Sequence, residues 1–472
     1  MKNQKVRGRV VRHAFLPIVL MIFSVTFAQH PGWTQYMNGN QINAVAAYGN
    51  DIWVGTTCGL VKIDKSSSLT IFYNSANSGL PDNHIRSIAI DGNGTKWIGT
   101  QSGGLAKFDG VSWAVYNTTN SGLPDNEVSF IAIDGSGSKW IGTDNGLSEF
   151  DGNAWTVYNV TNSGLPDNYV TSIAIDGSGN KWIGTDGDGL AKFDGATWTV
   201  YNDTNSGLPG DYVASIAIDG GGNKWIGTAF GGLAKFNDAT WTVYSSSNSG
   251  LPDNTVNSIA IDGSGIKWIG TFGGLAKFSG AQWTVYNTSN SGLPDNTVNS
   301  IDIDGSGNKW VGTWHGGLAK FNGATWSVYN TLNSGLLDNN VTSIAIEGKG
   351  NIWIGEYNGG LAVFSDNNSA IKLNHGSALN QHAPLCWNYP NPFKQKTLIN
   401  YNVLENGPVS LRIYSLDGHL IQTLVNARQT AGYYSVSWDG KNDKGKVIAR
   451  GVYLYQLKSN GGMISKKMSF IE

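Results

Sequence analysis

Cysteine is nearly absent from this 472-residue chain, with Cys58 and Cys386 the only two. That excludes a disulfide-stapled scaffold, and a Cys58–Cys386 bridge is the single one the sequence allows. Charged residues are sparse, at 14%. Arginine is sparser still, Arg86 being the only one between Arg12 and Arg412. An acidic substrate gripped by arginine forks is therefore not expected, and the basic footprint of a nucleic-acid binder is missing. The seven histidines show no H-E-x-x-H spacing, and G-x-S-x-G, P-loop and dinucleotide fingerprints are absent. Neither a metal nor a cofactor is expected.

Long apolar runs are also lacking, except at the start. Residues 14–27 (AFLPIVLMIFSVTF) follow Lys2, Lys5, Arg7, Arg9 and Arg12 and end at Thr26-Phe27-Ala28. A basic segment, a short apolar run and a small-residue cleavage site make residues 1–28 a secretory signal peptide. The run is too short and wrongly flanked for a stable span, an N-terminal anchor being the alternative. Its removal takes five positive and no negative charges, so the formal net charge goes from −2 to −7. A mildly acidic exported protein suits neither nucleic acid nor an anionic membrane surface.

What the chain has in abundance is glycine (63) and aromatics (18 Trp, 19 Tyr, 16 Phe). Glycine serves turns and aromatics serve pleated, half-buried surfaces, which points to β structure throughout. The stretch 170–185 (VTSIAIDGSGNKWIGT) recurs with small changes, its tryptophan returning as Trp53, Trp97, Trp140, Trp182, Trp225, Trp268, Trp310 and Trp353. A period in the forties marks a repeat architecture. Each unit holds four strand-like runs, at 170–176, 181–185, 190–194 and 198–201 around Trp182. In the first, simple alternation sets Val170, Ser172 and Ala174 against Ile173 and Ile175.

Four-stranded units repeated radially make a β-propeller. The Trp-x-x-Tyr run appears first at 33–36 and the Gly-Leu-Ala-Lys-Phe run last at 360–364. The chain thus starts on a fourth strand and ends the array on a third, so 33–36 is expected to close the ring. Eight blades follow, with seven as the alternative. The repeats resemble the two-component-regulator propeller family over residues 33–364, through Ser-Gly-Leu-Pro-Asp-Asn, Val-x-Ser-Ile-Ala-Ile-Asp-Gly-x-Gly-x-Lys-Trp-Ile-Gly-Thr and Gly-Gly-Leu. That resemblance implies the scaffold, and carbohydrate as a ligand class. No kinase follows it here.

Residues 365–385 are polar and unpatterned, a linker between the propeller (29–364) and a C-terminal unit (386–472). Strands are expected near 397–404, 408–414, 419–425, 433–438, 447–457 and 463–471, a small immunoglobulin-like β-sandwich. Tyr389-Pro-Asn-Pro-Phe393, Leu411-Arg-Ile-Tyr-Ser-Leu-Asp-Gly418, Ala431-Gly-Tyr-Tyr434, Trp438-Asp-Gly440 and Gly451-Val-Tyr-Leu-Tyr455 occur in that order. This resembles the type A sorting domain of the type IX secretion system, related to the FlgD-like immunoglobulin fold. The resemblance implies type IX machinery as a partner through residues 386–472, and an extracellular or outer-membrane-surface location.

Repeated polar features are expected to be structural. One carboxylate per Asp-Gly-x-Gly turn falls short of the six to eight oxygens calcium takes, and the Pro and Gly of Ser-Gly-Leu-Pro-Asp-Asn set dihedrals. Function is sought where the units differ. The turn between second and third strands carries Asp144, then Asp186 and Asp188, then Phe230, Phe272, Trp314 with His315, and Tyr357. An acidic sector beside an aromatic crescent suits sugar rings, which offer apolar C–H faces and hydroxyl donors. His84, Glu127, Tyr169 and Tyr212 precede first strands and are expected at the same channel rim, with Asp302 reaching channel water. Glu127, Glu149, Asp302 and Glu356 break the repeat symmetry, but a glycosidase pair cannot be assembled from them on sequence. The expectation is a secreted or surface binding propeller for a polysaccharide or other extracellular polymer, without catalysis. A polysaccharide lyase or hydrolase and a structural or protein-interaction module are the alternatives.

Overall fold

The computed structural model describes residues 33–365 and 386–471, apart from 38–39, 68–69, 348–349, 390–392, 404–405, 416–417, 431 and 461. Residues 1–28, expected to be a signal peptide, and residues 366–385 of the expected linker lie outside the described residues. Among those described, every regular element is a strand and no helix is long and apolar enough to cross a membrane.

The described residues between 33 and 365 form eight four-stranded antiparallel sheets, numbered here in chain order by the tryptophan of their second strand. Sheet four is representative, with Val170–Ile175, Lys181–Thr185, Leu190–Phe193 and Trp198–Tyr201 in simple up-and-down order. Its first strand lies beside those of sheets three and five, as in a β-propeller. Sheet eight takes Val341–Glu347, Asn351–Glu356 and Gly360–Ser365, and its fourth strand is Trp33–Met37. Trp33 pairs with Phe364 and Gln35 with Ala362. Sheet eight also meets sheet one, where the Thr342 hydroxyl donates to the Ile42 carbonyl at 3.1 Å.

One expectation needs correction. Val170 pairs with Thr185 but Ser172 with Gly184, so Thr171 is a bulge and the alternation changes phase there. Val170 therefore packs with Ile173 and Ile175 against Trp140 of sheet three. Ala174 faces the other way, toward Trp182, Val213 and Ile226. The bulge frees the Thr171 hydroxyl to donate to the Val213 carbonyl of sheet five at 2.6 Å. Ser129, Asn257 and Asn299 tie their sheets to the next in the same way.

The core lies between the sheets. Trp182 is fully buried, stacked on Tyr201 and edge-on to Phe236 of sheet five. Gly184 follows two residues on because a Cβ there would stand 2.5 Å from the Ser172 hydroxyl and 2.6 Å from a Val213 methyl. Beyond the linker, a three-stranded sheet (Cys386–Tyr389, Thr397–Val403, Gly432–Trp438) and a four-stranded one (Gly407–Ser415, Leu420–Gln429, Gly451–Ser459, Gly462–Phe470) enclose a second core around Tyr401, Leu411, Trp438 and Tyr455. The strand expected from 447 begins at Gly451. Cys58 is a free thiol, so the bridge to Cys386 is not made.

Candidate ligand-binding face

The repeated polar residues are consumed by the scaffold. Asp176 accepts the amide N–H groups of Ser178 and Asn180 on one oxygen, and the indole N–H of Trp182 at 3.0 Å on the other. Asp134 does the same and also meets Lys181 of the next sheet at 3.1 Å, while that lysine lies over Trp140, 4.6 Å from its ring centre. Burial pushes the Asp134 carboxyl up, but the hydrogen bonds from Ser136, Trp140 and Lys181 prevail and hold it at about 2. In the Ser-Gly-Leu-Pro-Asp-Asn connection, Leu165 is buried between sheets three and four, and Asn168 caps the Val160 amide. None of these groups is left to hold a ligand.

The connection's aspartate also ties the face together. Asp82 accepts the backbone and hydroxyl protons of Ser102, Asp295 the backbone N–H of His315, and Asp338 that of Asn358. One residue earlier in each turn, the amides of Gln101, Asp186, Ala229, Trp314 and Tyr357 donate to the carbonyls of His84, Tyr169, Tyr212, Thr297 and Asn340. The variable turns and the residues preceding the first strands thus adjoin on one face.

That face has two unlike halves. In sheets five to eight, Phe230, Phe272, Trp314 and Tyr357 stand 80%, 45%, 44% and 45% exposed, although each sheet's repeated tryptophan is buried. Phe230 also has a φ of 70°, a left-handed backbone that β-substituted residues avoid at a cost of roughly 1–2 kcal/mol. His315 is exposed beside Trp314, its ring 3.9 Å from Asp295.

The other half is acidic, around one cation. Arg86 occupies the bulge position of sheet two, where sheet five has Ala214 and the remaining sheets a short hydroxyl or amide side chain, and its guanidinium pairs with Glu127 of the next connection. Burial raises the Asp144 carboxyl above the usual range, Arg86 pulls it back, and Asp125 and Asp186 push it up again. One oxygen of Asp144 is buried with no hydrogen-bond partner among the described residues. Asp186 is likewise raised by burial and by Asp167, and its charge, with Tyr169, adds to the burial that lifts the Tyr212 hydroxyl. Asp188 is exposed beyond Asp186. Burial lowers the His84 imidazole, with Asp82 opposing and Arg86 assisting. The Arg86–Glu127 pair was not visible in the sequence, since nothing there says that a bulge residue reaches the following connection.

Asp302 does not belong to this rim. It pairs across from Trp310, four residues beyond Val298, which is about 13 Å down the strand. Its oxygens accept the Ile303 N–H at 2.8 Å and the Ile346 N–H of sheet eight at 3.1 Å. Glu149 accepts the Tyr158 hydroxyl at 3.2 Å. Among the described residues, no three His, Cys, Asp or Glu are arranged to hold a metal ion.

Comparison with known proteins bears on the scaffold. Residues 164–187 match the two component regulator propeller model, and residues 395–462 the FlgD Ig-like domain. No curated protein matches the chain. Among solved structures, it is similar to PorZ of Porphyromonas gingivalis, an essential bacterial surface component of the type-IX secretion system. The identity is 20%, with 92% of this chain and 66% of that one covered and a TM-score of 0.49. This chain therefore spans just under two thirds of PorZ. It is also similar to the extracellular domain of the putative hybrid two component system BT4673 from B. thetaiotaomicron (18% identity, 92% and 69% covered, TM-score 0.47). The computationally designed Ika8 protein aligns over 72% of this chain and 100% of its own, at 11% identity and a TM-score of 0.55. Identities this low concern fold alone.

Proposed function

We propose that the chain is a secreted or surface-displayed binding protein whose eight-bladed ring holds an extracellular polysaccharide across the face of its variable turns, without catalysing its cleavage. The observation that carries this reading is the crescent of Phe230, Phe272, Trp314 and Tyr357, exposed on four consecutive sheets of a scaffold whose repeated rings are buried or half-buried. Exposed apolar surface in a contiguous set marks a contact site more often than a lone ring does. Ring faces take the C–H faces of sugars, and the carboxylates on the other half accept hydroxyl protons. Export rests on the N-terminal segment 1–28. The FlgD Ig-like match at 395–462 supports reading the C-terminal unit as a sandwich, and its docking on type IX machinery rests on the motifs of residues 386–472.

Pull-down against a polysaccharide panel tests the site. Trp314→Ala with Tyr357→Ala should weaken binding about 30-fold or more, since each ring contributes roughly 1 kcal/mol or above through stacking and burial. The thermal midpoint should hardly move, because both side chains are exposed. Undiminished binding would remove the site, and absence of any bound polysaccharide would remove the ligand class. Release of products would favour the lyase or hydrolase reading.

A further inference from the structure

Three of the positions at which sheet eight departs from its neighbours meet at one buried carboxyl. Glu356 stands where seven second strands end in threonine: Thr56, Thr100, Thr143, Thr185, Thr228, Thr271 and Thr313. Leu337 stands where the six preceding connections carry proline, and Gln35 where six fourth strands carry valine. In the threonine sheets the hydroxyl donates to a glycine carbonyl of its own sheet, as Thr313 does to Gly317 at 2.7 Å. Glu356 makes no such bond. Its Oε2 instead accepts the backbone N–H of Leu337 at 2.7 Å and that of Asp338. The first of these donors exists only because proline, which has no N–H, has been replaced. Its Oε1 lies 3.5 Å from the side-chain nitrogen of Gln35, which also donates to the Gly359 carbonyl at 3.0 Å. Gln35 belongs to the strand that closes the ring, so one carboxyl joins the closing strand, the preceding connection and the turn after it.

We propose that Glu356 is a proton-dependent latch on the ring's seam, fastening the closing strand Trp33–Met37 when neutral and loosening it when ionised. The carboxyl is wholly buried, and among the described residues no lysine, arginine or histidine forms an ion pair with it. Burial pushes it up to about 7, against the Asp338 and Leu337 amides and Gln35, while the Asp338 carboxylate pushes the same way. An unfolded glutamate titrates near 4.5. The neutral carboxyl's contribution is therefore complete below that value and is lost as pH rises through about 7.

Hydrogen exchange of peptides covering residues 33–37, corrected for the intrinsic pH effect, tests the latch. Protection should fall at least tenfold between pH 5.5 and 8.5 in the unaltered chain. It should be level in Glu356→Gln, which keeps the shape and an acceptor oxygen but cannot ionise. If that variant fails to fold, Glu356→Thr with Leu337→Pro restores the pairing of the other sheets and should also give a level profile. Protection that does not change with pH in the unaltered chain overturns the proposal, as does an equal fall in either variant.

Discussion

Deleting Trp33–Met37 should lower the thermal midpoint of the ring by more than 10 °C or abolish its cooperative transition. The strand forms the ladder on Gly360–Ser365, so its loss turns an interior strand into an open edge with unpaired N–H and C=O groups. It also removes two rings from the core. Trp33 lies 5.1 Å from Phe364 and 5.4 Å from Tyr329, and Tyr36 is buried 5.5 Å from Trp353. At roughly 1.5–3 kcal/mol for each buried ring, plus the ladder, the loss approaches about 5 kcal/mol or more. That is a large part of the ~5–15 kcal/mol that ordinarily separates folded from unfolded states. Calorimetry of the deleted chain, with the missing segment added back as a peptide, separates loss of closure from general damage. A midpoint within about 2 °C of the intact chain would make the strand an ornament of the ring.

Trp182→Ala should cost about 3–5 kcal/mol in denaturant unfolding, the usual price of emptying a buried tryptophan site. The ring touches three kinds of partner at once. It stacks on Tyr201, meets Phe236 of the next sheet edge-on, and carries the Lys224 ammonium 4.6 Å above its centre. Its N–H also satisfies Asp176. The same change at Trp353 should cost roughly 1–2 kcal/mol less, because the lysine, the carboxylate and the edge-on phenylalanine, replaced by Ile63, are all missing there. Ile52 stands in the lysine's position, and the Trp353 N–H has no partner among the described residues. Equal losses at the two sites would show that packing volume alone, and not the cation and carboxylate, sets the value of this residue.

The scaffold was legible because its physics repeats. Trp182, Gly184, Leu165 and Asp176 recur at fixed offsets, and each recurrence states the same demand: a ring to fill the gap between sheets, a bare Cα to let Val213 approach, a leucine to seal the connection, a carboxylate to cap the indole. The bulge at Thr171 was not legible, because a register shift leaves the order of residue types unchanged. Asp302 was misplaced for a related reason. Its oddity among alanines was visible, but the nearby Ile346 amide that it serves lies on another sheet. Glu356 carried a usable signal that single-residue reading passes over, namely that Gln35, Leu337 and Glu356 all depart from the repeat within one sheet. The variable turns were legible as variable, and their shared face follows from the carbonyls of Tyr169, Tyr212, Thr297 and Asn340 accepting the turn amides.

The claim that the variable turns hold the ligand is tested most directly by hydroxyl-radical footprinting of the chain with and without a bound polysaccharide. The account predicts that Phe230, Phe272, Trp314 and Tyr357 lose reactivity together on binding, while Val111, 93% exposed on the turn between the third and fourth strands of sheet two, stays reactive. Four aromatic side chains as reactive with ligand as without it, alongside protection at Val111 or within residues 386–471, would contradict it.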